Sequence, residues 1–183
     1  DAVLSDGRLS VTTRQGRAEA NGRFAIAGGT VEVSGTVDRL ESTPTYTTQT
    51  TVDSLDVGAF AGFDSLAASV QSLRWKLDGR GTDPSTLTTS TRLSAAGIHV
   101  DRFAIDAVDL NGAFRHGQLV LDTLVAQSNA FTSQGQGTLA VTDTSARSDF
   151  TLRTEVTDPS PLRRLVGAQT LRLQTGILET RIY

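Results

Sequence analysis

Leu73-Arg74-Trp75-Lys76-Leu77-Asp78 sets apolar and charged residues in strict alternation. Successive side chains of a strand point to opposite faces, so this stretch makes one oily face and one wet face. The pattern spreads outward from it. Val31, Val33 and Val37 alternate with Glu32, Ser34, Thr36 and Asp38. It returns in Phe103-Ala104-Ile105-Asp106, Phe150-Thr151-Leu152-Arg153 and Leu171-Arg172-Leu173-Gln174. Eleven strands are expected, near 8–13, 17–27, 30–39, 45–52, 66–79, 86–95, 98–111, 117–126, 130–142, 147–156 and 170–181. A break of phase is expected at Ala107-Val108, where a bulge would reset the alternation. Turn signals at Asp6-Gly7, Asn21-Gly22, Gly28-Gly29, Asp78-Gly79, Asn111-Gly112 and His116-Gly117 suit hairpins, so the fold class is all-β, an antiparallel meander.

Two stretches read as short inserted helices, and they resemble one another. Asp53 to Gly62 matches Asp158 to Gly167 at a constant step of 105 positions, with Val57 on Leu162 and Phe60 on Leu165. Each reads as an Asp cap, about two turns and a Gly stop. Pro159 and Pro161 suit a first helical turn. Gly35-Thr36-Val37 and Gly137-Thr138-Leu139 repeat at a step of 102. The chain therefore reads as one β segment, 1–183, holding about one and three-quarter copies of a module (1–105 and 106–183). Modules of this kind stack in one dimension.

Composition narrows the function. The net charge is −3 and no basic stripe is present, which argues against nucleic-acid binding. Zero cysteines exclude disulfides, thiolate metal sites and Cys nucleophiles. His99 and His116 lie in no catalytic or metal-ligating spacing, and Asp78-Gly79-Arg80-Gly81-Thr82-Asp83 lacks the ligand pattern of a calcium loop. It reads as a tight turn leading to Pro84. No catalytic residue, metal site or cofactor is expected, and the protein is not expected to be an enzyme.

The inward-facing set is Leu9, Val11, Phe24, Ile26, Val31, Val33, Val37, Leu73, Trp75, Leu77, Leu87, Leu93, Phe103, Ile105, Leu119, Leu121, Phe150, Leu152, Leu171 and Leu173. Alternation alone is met equally by a sandwich in which these residues pack on one another. Three features turn the reading toward an open groove. Aromatics are only 5% of the chain; small residues (Thr89, Thr91, Ala107) take inward positions; and the module repeats with its helix at a fixed place.

Three phrases carry a family resemblance: Leu77-Asp-Gly-Arg-Gly-Thr-Asp-Pro-Ser-Thr-Leu87, the run from Ile105 to Leu121, and Gln134-Gly-Gln-Gly-Thr-Leu-Ala-Val141. They resemble the TamB branch of the AsmA-like envelope proteins, which are similar to the repeating β-groove bridge proteins. The resemblance implies a meander curved into an open, taco-like groove. It implies an interior, periplasmic segment of a longer, inner-membrane-anchored protein that carries phospholipid acyl chains between the two membranes. It also implies an outer-membrane barrel partner, contacted by regions outside this chain. Two cut sheet edges would invite self-association. The runner-up is a structural or adhesive surface β-repeat with a filled core. For a lipid the groove removes a large penalty: two chains of about 16 carbons would lose on the order of 25 kcal/mol in water, at ~0.8 kcal/mol per CH₂.

Overall fold

The computed structural model describes residues 4–39, 42–61, 67–83, 86–100, 103–141, 147–160 and 176–182. Eleven strands form one antiparallel sheet in sequence order: β1 Leu4–Arg14, β2 Arg17–Ile26, β3 Gly29–Asp38, β4 Thr45–Asp56, β5 Ala68–Arg80, β6 Thr88–Val100, β7 Phe103–Arg115, β8 Gln118–Gln127, β9 Phe131–Ala140, β10 Asp149–Val156 and β11 Gly176–Ile182. The sheet does not close, for β1 and β11 do not pair with each other. Extensive contacts join each strand only to its neighbours, with one short helix, α1 (Val57–Ala61), touching β4 and β5. The architecture is an open, curved groove, with no second layer among the described residues.

Three hairpins turn on two residues that both have positive φ: Gln15-Gly16 (47° and 73°), Ala27-Gly28 (48° and 78°) and His116-Gly117 (49° and 76°). Such turns match the right-handed twist of the flanking strands. The Asp-Gly and Asn-Gly signals behave otherwise. Asp6-Gly7, Asn21-Gly22, Asp78-Gly79 and Asn111-Gly112 lie inside β1, β2, β5 and β7. At Gly22, Gly79 and Gly112 the glycine is needed for space rather than for turning. A Cβ on Gly22 would stand 2.7 Å from Cε2 of Phe24, and one on Gly79 would strike the Tyr46 ring.

The helix cap is shifted from its expected place. Asp53 still belongs to β4, and Asp56 caps α1, its Oδ1 accepting from the Ala59 amide at 2.9 Å. Strand pairing carries the chain three residues further than the Asp signal suggested. The second helix opens at Pro159 and Ser160, where Asp158 Oδ1 accepts from the Ser160 amide at 2.9 Å. Its remainder, including the expected Gly167 stop, lies outside the described residues, as does Gly62.

These caps change the module spacing. Asp56 and Asp158 stand 102 positions apart, as do the starts of β3 at Gly29 and of β9 at Phe131. Across the sheet, Gly22 and Leu124, Val33 and Gly135, and Thr50 and Leu152 occupy one transverse row at that same step. The step of 105 appears only past the helix, between Trp75 and Thr180 of the same row. The additional three residues are thus taken up between the β4/β10 and β5/β11 pairs. Position 105 itself falls inside β7 rather than at a junction.

Candidate functional site: an uncovered apolar face

Partners across an antiparallel ladder share a face, so the pairing register assembles the face residue by residue. One row runs Leu9–Gly22–Val33–Thr50–Trp75–Leu93–Leu110–Leu124–Gly135–Leu152–Thr180, with one residue from every strand. The adjacent row, on the other face, runs Arg8–Arg23–Glu32–Thr51–Arg74–Ser94–Asp109–Val125–Gln134–Arg153–Glu179. The two faces are chemically opposite across the whole sheet.

Flanking rows extend the apolar side. Phe24, Val31, Val52, Leu73, Ala95, Val108 and Ala126 form one; Val11, Leu77, Thr91, Leu121 and Phe150 belong to another; Val37, Tyr46, Thr89, Phe114, Leu119 and Leu139 form a third. Ile26 continues the β2 alternation beyond Phe24. Phe103 and Ile105 need a break of phase to join them, and the ladder supplies it where Gly97 and Asp106 face each other unpaired. Gly97 there has φ 61°, and Ser54, on the same line across β4, has φ 58°. The Phe103 ring stacks on Phe131 with centroids 5.8 Å apart, back on the apolar side.

One expected lining residue falls outside the strands. Leu87 precedes β6, and Leu171 and Leu173 lie outside the described residues. Ala107 is corrected: it pairs with Ala96 and Gln127 in the row containing Asp53 and Ser72, on the polar side. The phase break comes just before it, so it ends on the wet face. Val52, Val108, Leu110, Leu124 and Leu139 were not foreseen. Leu124 was hidden by a second irregularity, the register shift between Leu121 and Leu124 in β8. Leu110 was legible in Val108-Asp109-Leu110-Asn111, where alternation restarts.

Nothing among the described residues covers this face. Leu9 is 64% exposed, Val11 60%, Trp75 43% and Val33 38%. No large side chain among the described residues is fully buried, although Val52 and Leu121, near mid-sheet, fall to 8%. With no second layer among the described residues, the curvature of the sheet, side chains leaning over glycines and, beside β4 and β5, α1 shield them. A Cβ at Gly135 would lie 3.1 Å from Phe150 Cζ, 3.2 Å from Leu152 Cδ1 and 3.4 Å from Leu124 Cδ2. Glycine thus lets three large groups converge over one point of the floor.

Some of the polar atoms on this side are matched in pairs. The Trp75 indole N–H donates to Thr91 Oγ1 at 2.8 Å, and the hydroxyls of Ser133 and Thr154 meet at 2.9 Å. Donors and acceptors that satisfy each other present little cost to an apolar guest. Charges are kept on the opposite side: Arg17 bridges Glu19 (2.9 Å) and Asp38 (3.4 Å), Arg23 lies 3.4 Å from Glu32, and Lys76 3.3 Å from Asp78. Such exposed pairs contribute only tenths of a kcal/mol each, at about 0.2–1. His99 Nδ1 lies 3.2 Å from the Gly97 carbonyl oxygen, and His116 sits in its hairpin turn.

Asp78 is held below the ordinary carboxylate value, first by the hydroxyl of Thr47, which donates to Oδ1 at 2.8 Å, and then by Lys76. A lowered folded-state pKa stabilises the sheet above the unfolded carboxylate value and is lost as the pH falls through the folded value. Thr47→Ala is expected to move the Asp78 titration upward toward ordinary, read by carboxyl-carbon NMR. Stability near neutral pH should change little, since the side chain is 43% exposed.

No protein-family profile, curated protein or solved structure matches this chain.

Proposed function

We propose that this sheet is a segment of a non-enzymatic lipid conduit of the TamB/AsmA-like kind, working in the periplasm. The uncovered apolar row, with a residue from each of eleven strands, carries the reading. Ten inter-strand steps of about 4.8 Å give a trough of roughly 48 Å, longer than a phospholipid acyl chain. Its lining is mainly hydrocarbon and some of its polar groups are paired with one another, so an acyl chain exchanges one largely hydrocarbon environment for another at little cost. A conduit needs that near-indifference, because a tight site would hold its cargo. The head group stays in water beyond the open side. A membrane anchor and an outer-membrane barrel partner belong, in this reading, to other parts of the assembly. A spacer repeat with a filled core is less well supported, since no large described side chain is fully buried.

Trp75 is the only tryptophan and stands in the row, so it reports directly on occupancy. Vesicles of phosphatidylcholine brominated on its acyl chains are expected to quench Trp75 emission, while the unbrominated lipid shifts the emission to the blue. Leu93→Asp, beside Trp75 in the row, should abolish most of the quenching with the β circular dichroism retained. Equal emission with the two lipids would refute the reading.

A further inference from the structure

The strand ladder skips one residue in each of four consecutive strands, and the skipped positions lie on one line. Asp53 pairs with Ser72 and Leu55 with Val70, which leaves Ser54 and Gln71 unpaired between them. Ser72 and Val70 pair in turn with Ala96 and Ile98 around Gly97, and these with Ala107 and Ile105 around Asp106. An unpaired residue bends its strand and breaks the ladder, and here four breaks coincide. The backbone is strained there as well. Ser54 has φ 58°, a left-handed value that residues other than glycine adopt at a cost. Gly97 has φ 61°, and a Cβ on it would stand 2.6 Å from Gln71 Oε1. Beside the line lies an open cleft of about 530 Å³, with Gly28, Ser54, Gln71 and Gly97 in its wall.

The piece beyond the line has few other ties among the described residues. On its β4 border the ladder to β3 ends at the Thr30–Asp53 pair. One backbone hydrogen bond follows, from the Asp56 amide to the Ala27 carbonyl at 3.2 Å. On its β7 border the ladder to β8 ends at the Ala107–Gln127 pair. Past that pair Phe103 reaches to Phe131, at the start of β9, in the 5.8 Å ring stack. Phe131 itself is firmly seated. Its amide donates to Ser128 Oγ at 3.0 Å, and its carbonyl accepts from the Ser128 amide at 2.9 Å. Ala130 beside it is fully buried, and its carbonyl accepts from the Thr157 and Asp158 amides at 2.8 and 3.1 Å. One ring of the stack thus rests on a stiff base, the other on a piece joined through a broken seam.

We infer that residues 55–56, 68–70, 98–100 and 103–105 form a flap that swings as one body about the line Ser54–Gln71–Gly97–Asp106, latched by Phe103 on Phe131. Inside the flap the ladder is complete. Leu55–Val70–Ile98–Ile105, Asp56–Ser69–His99–Ala104 and Ala68–Val100–Phe103 pair in successive rows, so it opens whole rather than strand by strand. Helix α1 follows Asp56 directly and is carried with it. A hinge is a few residues that absorb a change of backbone angle, and the unpaired positions do so with no ladder pair to break. Leu55, Val70, Ile98 and Ile105 continue the apolar face, so the swing changes the width of the trough. The flap stands apart from the lipid reading. Only its coupling to cargo rests on that reading: an acyl chain lying across the line touches both sides of it and holds the flap shut.

The test is amide hydrogen exchange on the full 183-residue chain without lipid, followed by NMR. The flap amides are expected to share one opening equilibrium, more populated than that of the rows holding Val52, Leu73, Ala95 and Val108. Phe103→Ala should speed flap exchange about three- to tenfold, the loss of one aromatic pair, and leave those rows unchanged. Phe114→Ala, on the same strand at the far rim, should leave the flap rate as it is. Rates graded inward from each strand end would mean simple fraying and overturn the inference. So would equal acceleration of flap and body by Phe103→Ala. Unbrominated phosphatidylcholine vesicles should slow flap exchange in step with the Trp75 response. Quenching of Trp75 by the brominated lipid with no slowing of the flap would overturn the coupling. Absence of any quenching defeats the conduit reading but not the flap, which the lipid-free rates decide.

Discussion

Gly137→Ala is expected to destabilise the sheet by about 3 kcal/mol or more, the sum of a strained backbone and a steric clash. Gly137 has φ +137°, a conformation that L side chains rarely adopt. The new Cβ would also be driven into the Asp149 carbonyl and stand 2.7 Å from the Phe150 Cα. Backbone atoms of a paired strand cannot step aside as the tip of a side chain can, so β9 and β10 would have to part at this point. Gly28→Ala is the matched control. Its φ is +78° and nothing lies within 4 Å of the added methyl. It should cost only the left-handed backbone term, about 1–2 kcal/mol. Urea denaturation followed by far-ultraviolet circular dichroism checks both. Equal midpoints for the two variants would mean that the β9–β10 junction is looser than described.

The second large effect separates residues that hold the sheet from residues that only line it. Leu121 and Val33 both face the apolar side, but Leu121 is 8% exposed and Val33 is 38% exposed. Leu121→Asp places a carboxylate where Leu121 Cδ2 now reaches to within 3.2 Å of a Cβ built at Gly112. The expected loss is about 3 kcal/mol or more, from stranded charge and lost packing together. Val33→Asp should cost under about 1 kcal/mol, because water already reaches the site. Quenching by brominated lipid should nevertheless fall with Val33→Asp, since a charge then stands in the row two strands from Trp75. Denaturation midpoints and quenching, measured on the same samples, check the contrast. Loss of stability without loss of quenching in Val33→Asp would contradict it.

Much of this was legible in the residues. Alternation located the first ten strands. The stretch quoted for the eleventh, Leu171 to Gln174, lies outside the described residues, and β11 runs Gly176–Ile182. Pairing gathered Leu9, Val33, Trp75, Leu93 and Leu152 into a single row. The errors have specific physical sources. Asn21-Gly22 and Asp78-Gly79 read as turns because their φ freedom suits turns, yet their glycines make room for Phe24 and Tyr46. Asp53 read as a helix cap because its type suits one, but β4 continues to Asp56 through the positive φ of Ser54. Ala107 read as inward because the break of phase comes one residue earlier than expected. In each case a residue type serves two local purposes, and long-range contact chooses between them.

By itself, the sequence determined that the chain is β throughout, which side of each strand is oily, and that neighbours pair in order. All three follow from period-two patterning and short connections, which are local properties. Whether a second sheet covers the oily side was left open, because the same alternation serves a sandwich and a trough. Only the tertiary structure decided that. Among the described residues each strand meets extensively just its sequence neighbours and no second layer lies over them, so the hydrocarbon side chains there face open space.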